Sequence, residues 1–68
     1  MPGTYKLIDV VGTSPNSLAD AIRNAVTEAG KSVHHMNWFE VLEERGAIKD
    51  GKVLEFQVTV RIGFKIEH

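Results

Sequence analysis

The run from Val53 to Glu67, V-L-E-F-Q-V-T-V-R-I-G-F-K-I-E, limits what this chain can fold into more than any other stretch. Taken two at a time, Leu54, Phe56, Val58, Val60, Ile62, Phe64 and Ile66 form one set, and Val53, Glu55, Gln57, Thr59, Arg61, Gly63, Lys65 and Glu67 the other. Alternation held for so long predicts a β-strand with one apolar and one polar face. The apolar face needs a cover, and the only amphipathic helical pattern in the sequence has to supply it. About 15 residues at ~3.3 Å each give a strand of roughly 50 Å. A helix of about 20 residues covers only roughly 30 Å of it. Either the sheet curls around the helix or other copies of the chain cover the remainder.

Thr4 to Gly12 is rich in β-branched and aromatic residues and stops at a glycine, which predicts a first strand. Thr13-Ser14-Pro15 reads as a helix start, with Ser14 capping the first amides and Pro15 in the first turn. Leu18, Ala21, Ile22, Ala25, Val26 and Ala29 then recur at helical spacing, and Val33 and Met36 extend the same stripe. Gly30 is either an interior glycine or the C-cap, so the helix ends between Gly30 and His35. Asn37 to Ile48 holds the second strand, and Lys49-Asp50-Gly51-Lys52 carries the Asp-Gly pair of a tight hairpin. With Asp50 and Gly51 as loop residues, Trp38 falls opposite Gly63, Glu40 opposite Arg61, Leu42 opposite Thr59 and Glu44 opposite Gln57. The other parity sets Phe39 against Ile62 and Val41 against Val60, the expected core face, which supports this register. The result is an α+β fold of order β-α-β-β, a three-stranded antiparallel sheet over one helix, with the third strand between the first two.

At 68 residues a single domain, 1–68, is expected. Such a chain buries roughly 60% of its unfolded surface and usually needs a further staple. Cysteine is absent, which removes disulfides. Only His34, His35 and His68 are available to a zinc site, and adjacent His34 and His35 diverge on any regular element. Oligomerisation is the staple left over. Eight Lys and Arg are interspersed among nine Asp and Glu, so there is no basic stripe for nucleic acid and no polybasic membrane patch. Met1-Pro2-Gly3-Thr4 leads straight into a strand without an apolar leader, and no apolar run reaches membrane-spanning length. A cytoplasmic protein is the expectation. No Walker loop, dinucleotide fingerprint or nucleophile triad occurs, and Glu40, Glu43 and Glu44 read as a paired or solvated face, so no catalytic activity is expected.

Trp38 stands apart. A lone tryptophan is ordinarily a core or interface residue, yet the register sets this indole on the polar face, opposite a residue with no side chain. An aromatic platform beside an empty slot suits a flat conjugated ligand, and it also suits another subunit.

Thr4-Tyr5-Lys6, Val11-Gly12-Thr13-Ser14-Pro15, Trp38-Phe39-Glu40-Val41, Arg45-Gly46, Phe56-Gln57-Val58-Thr59-Val60 and Gly63-Phe64, in that order and spacing, resemble the dodecins, small flavin-binding proteins. The resemblance covers nearly the whole chain. It implies a sheet curled around the helix and assembly as a hollow homododecamer. It also implies flavin storage and sequestration, with pairs of flavins (FMN, riboflavin or another flavin) stacked between tryptophans at a two-fold axis and their photochemistry quenched. Trp38 would be that tryptophan, Gln57 would hydrogen-bond the flavin edge, and Arg45 is similar to the residue that reaches the phosphate of flavin mononucleotide. Asn37 stands where the family has aspartate, and Lys65 where bacterial members often have arginine; both fall among the implied cofactor contacts. Some relatives also bind coenzyme A through positions like Lys6, Arg45 and Lys65, so a coenzyme A-binding or purely structural shell protein is the alternative.

Taken on its residues alone, Gln57 has the donors and acceptor for a heterocycle edge, though a strand-face glutamine is usually just solvated. Arg45 offers a phosphate fork or an ordinary surface ion pair with Glu43 or Glu44. Simple alternation puts Arg45 on the face opposite Trp38. Either Gly46 marks a bulge that re-aims it, or it serves a site formed with a neighbouring subunit.

Overall fold

The computed structural model of the chain describes residues 3–66. Met1 and Pro2, read above as part of the approach to the first strand, lie outside the described residues. So do Glu67, counted in the last strand, and His68, counted among the zinc candidates. The elements are β1 (Tyr5–Ser14), α1 (Leu18–Ala29), β2 (Met36–Lys49) and β3 (Lys52–Lys65). The sheet order is β1-β3-β2 with both pairings antiparallel, as the sequence predicted. At the hairpin tip Asp50 and Gly51 both take positive φ, 51° and 75°, the conformation a two-residue turn between twisted strands requires.

The core forms where α1 lies on β3 and β1. Val58, Val60 and Ile62 of β3 and Ala21, Ala25 and Ala29 of α1 are its buried members, with Ile8, Val10, Leu18, Ile22, Val26 and Met36 packed around them. The alanine stripe lets the helix approach the sheet closely, and Gly12 completes that approach. A Cβ on Gly12 would stand 2.0 Å from the Ala21 carbonyl oxygen and 2.7 Å from the Ala25 Cβ.

The helix begins later than Ser14-Pro15 suggested. Ser17 is the N-cap, extended at φ −164°, and its hydroxyl accepts from the Asp20 amide at 3.0 Å. Ser14 instead ends β1, where its buried hydroxyl accepts from the Asn16 amide at 2.9 Å and donates to Asp20 Oδ2 at 2.7 Å. Local bonding of this kind turns the chain before the helix can start. The Ser17-Leu18-Ala19-Asp20 spacing, an acidic variant of the capping box, was the signal for the true start. The helix ends at Ala29 with Gly30 as its C-cap, so Val33 and Met36 lie beyond it; Met36 opens β2 and still reaches the core.

Twelve helical residues span only about 18 Å, whereas the molecule is 50 Å long and 20 by 13 Å across. No residue of β2 is buried. Phe39 and Val41, expected on the core face, pair with Ile62 and Val60 yet stand 49% and 40% exposed, because the short helix covers β1 and β3 and not β2.

Candidate functional site

β3 sets two faces. Val58, Val60 and Ile62 meet α1, and the odd-numbered residues from Gln57 to Lys65, with their direct partners on β1 and β2, form the outer face. Trp38 pairs with Gly63, which pairs in turn with Leu7, so the indole stands on the outer face as the register predicted. The space over Gly63, however, is filled by the ring itself. A Cβ on Gly63 would lie 2.2 to 2.6 Å from Cζ2, Cε2 and Cη2 of Trp38. A residue without a side chain therefore lets the indole lie down across the neighbouring strand. Gly63 is buried beneath it, and Trp38 as a whole remains 43% exposed. Tyr5 flanks it at 5.2 Å between centroids, tilted by 54°. The result is an aromatic shelf, half of it open.

Arg45 reaches the same outer face, and the cause is a bulge at Leu42. The register shifts between Val41 and Glu43, so that Glu43 faces Thr59, Glu44 faces Val58 and Arg45 faces Gln57; a second shift after Ala47 restores the turn. The predicted pairings of Leu42 with Thr59 and Glu44 with Gln57 are thereby displaced by one residue. An extra residue in one strand flips the parity of everything between the two bulges. A bulge does re-aim Arg45, but it lies at Leu42, four residues before the Gly46 that was expected to mark it. Its guanidinium donates to Gln57 Oε1 at 2.9 Å and to Thr59 Oγ1 at 3.3 Å, with Glu43 at 3.7 Å. Gln57 Nε2 in turn donates to Glu55 Oε1 at 2.9 Å.

The remaining candidates are scattered. Asn37 is the exposed residue skipped by the register shift between Met36 and Trp38, directly beside the shelf. Lys65 pairs with Tyr5 at the Trp38 end of the outer face. Lys6 pairs with Phe64 and so belongs to the other face. From Lys65 to Gln57, the partner of Arg45, is eight residues of strand, roughly 26 Å. Within one copy, Lys6, Arg45 and Lys65 do not form one patch. Trp38 and Gln57 are likewise separated, by the six residues from Gly63 to Gln57, or roughly 20 Å.

Glu40 does stand opposite Arg61, as expected, but the ion pair between the two ends is one the sequence did not show. Arg61 donates from Nε to Asp9 Oδ1 at 2.8 Å and from a terminal nitrogen to Oδ2 at 3.0 Å, a two-point contact with β1 rather than with Glu40 of β2. The hydrogen bond from Arg61 holds the Asp9 carboxyl below the usual carboxylate range, and the same bond raises the arginine. Among the described residues no group of three or more His, Cys, Asp or Glu side chains is placed to hold a metal ion. No helix among them is long and apolar enough to cross a membrane.

The dodecin family model matches residues 4–67. A dodecin of Thermus thermophilus is 43% identical over 67 residues, covering 98% of this chain and 97% of that protein. The solved dodecin of Streptomyces davaonensis superposes with a TM-score of 0.95 at 41% identity, with 100% of each chain covered. The calcium dodecin of Mycobacterium tuberculosis is 32% identical over 62 residues, which is 91% of this chain and 87% of its own length.

Proposed function

This chain belongs to the dodecin family, and on that premise we propose that it is a self-assembling, cytoplasmic flavin-binding protein that stores and sequesters flavin without catalytic turnover. The observation that carries the reading is the Trp38 indole, laid over Gly63 with its ring still open to the outer side. An aromatic face of this kind takes a flat conjugated ring by offset stacking and burial. When bound, a flavin supplies a photoexcitable, redox-active ring system whose excited state a stacked indole quenches by electron transfer. Gln57 offers the amide needed at the ring edge, since one of its N–H groups and one carbonyl lone pair remain uncommitted. Arg45 supplies a planar fork for the phosphate of flavin mononucleotide. Asn37 and Lys65 border the shelf and would contact the ligand there.

Trp38 and Gln57 of one copy are too far apart for one ring system to touch both. The site is therefore completed between copies, each presenting Trp38 to one end and Gln57 to the other. That arrangement supports the homododecamer, and it gives a chain without cysteines the staple it needs. The uncovered Phe39 and Val41, 49% and 40% exposed, are the surfaces such an assembly would bury.

Titration of flavin mononucleotide and riboflavin with the purified protein tests the reading. Flavin emission should fall as protein is added, and the Trp38→Ala variant should leave it bright. Emission that stays bright at saturating wild-type protein would contradict the proposal. A colourless protein that retains coenzyme A would favour the shell alternative.

A further inference from the structure

Glu55 precedes Gln57 by two residues on β3, so the two side chains project from the same face. Gln57 is held from both sides, with its Oε1 accepting from Arg45 Nε and its Nε2 donating to Glu55 Oε1, each at 2.9 Å. A carboxylate can only accept and a guanidinium can only donate. Between these two neighbours the amide has one satisfied orientation, oxygen toward Arg45 and nitrogen toward Glu55. A flipped amide would set N–H against guanidinium and carbonyl against carboxylate. A single shifted register builds both sides of this clasp. The bulge at Leu42 brings Arg45 opposite Gln57, and Ala47 stands opposite Glu55, offering the carboxylate no competing partner across the strand.

We infer that Glu55 is a positioning residue for flavin binding. With Arg45 it fixes the polarity of the Gln57 amide, so that the remaining N–H and lone pair meet the ring edge as a set donor–acceptor pair. Glu55 acts through Gln57 and does not itself touch the ligand. The inference rests on the reading above, that Gln57 meets the flavin.

Its test has a ligand-free arm and a binding arm. In the ligand-free protein the side-chain amide protons of Gln57 are assigned by NMR from their loss in Gln57→Ala. One of them should shift toward the free-glutamine position in Glu55→Ala and stay near its wild-type position in Glu55→Gln, whose carbonyl still accepts. In fluorescence titrations with flavin mononucleotide, Glu55→Ala should weaken binding about fivefold, the scale of one hydrogen bond, with Glu55→Gln close to wild type. Quenching at saturation should be unchanged, because Trp38 is untouched. In a Gln57→Ala background, adding Glu55→Ala should cost less than about twofold, since a residue acting through Gln57 has nothing left to position. Unchanged amide shifts, wild-type affinity in Glu55→Ala, or a loss that persists undiminished without Gln57 would each overturn the inference while leaving flavin binding standing. A wild-type protein that binds no flavin would overturn the proposed function and this inference with it.

Discussion

Ile62 and Ile48 are the same residue type in the same hairpin, yet one is 1% exposed and the other 76%. The difference separates two halves of the molecule. In the first, α1 seals the middle of β3 and β1 with a stripe of alanines fitted against Gly12. In the second, β2 and the hairpin tip extend beyond the helix with Phe39, Val41, Ile48 and Leu54 open. The chain completes one half by itself and leaves the other apolar and uncovered. A small protein rarely leaves so much apolar surface in water without a partner for it. The proposed assembly supplies that partner, and under the same proposal a second copy completes the candidate site.

The largest effects should come from exchanging residues between these halves. Ile62→Ala should cost about 3 kcal/mol in urea unfolding at any protein concentration, because it empties the chain's own core. Ile48→Ala should cost measurably only at concentrations where copies associate. Equal, concentration-independent losses would erase the distinction. Next, Gly63→Ala places a Cβ 2.2 Å from the Trp38 ring. The indole has to lift, at about 2 kcal/mol by the usual cost of overpacking, and tryptophan emission should shift to the red as the ring is exposed. An unchanged spectrum would show that the ring does not rest on Gly63.

Gly51→Ala meets nothing within 4 Å but keeps a φ of 75°. Its cost should therefore be backbone strain alone, about 1 kcal/mol by thermal unfolding. A variant as stable as wild type would mean the tip relaxes freely. The smallest effect belongs to Asp9→Asn on the exposed outer face. Folding lowers the Asp9 pKa, so its contribution is complete above the ordinary carboxylate range and is lost as pH falls through the depressed folded value. The gap in stability between wild type and Asp9→Asn should be small near neutrality and close in acid. A gap that widens in acid would reverse the assigned sign.

The sequence made legible what simple periods and turn chemistry encode. The alternation after Val53, the alanine-rich helical stripe and Asp50-Gly51 fixed the element order and placed Trp38 opposite Gly63. An inserted residue leaves no trace in a period-2 count, so the bulge at Leu42, and with it the side on which Arg45 stands, was legible only as an alternative. Arg61 has a neighbour on each side. The hairpin turn specifies its alignment with Glu40, whereas a crossover through α1 specifies none with Asp9, so the actual ion pair could not be read. The slot at Gly63 was read as empty because the pairing of two residues does not reveal how an indole lies. The clasp on Gln57 needed Arg45 in place before it could be seen.

Light scattering on a sizing column, with visible flavin absorbance recorded across the same peak, tests the central claim most directly. The account predicts that protein supplied with flavin mononucleotide elutes as an assembly many times 7.6 kDa, with flavin absorbance coincident with the protein. A folded species at the mass of one chain that carries flavin, or an assembly that carries none, would contradict it.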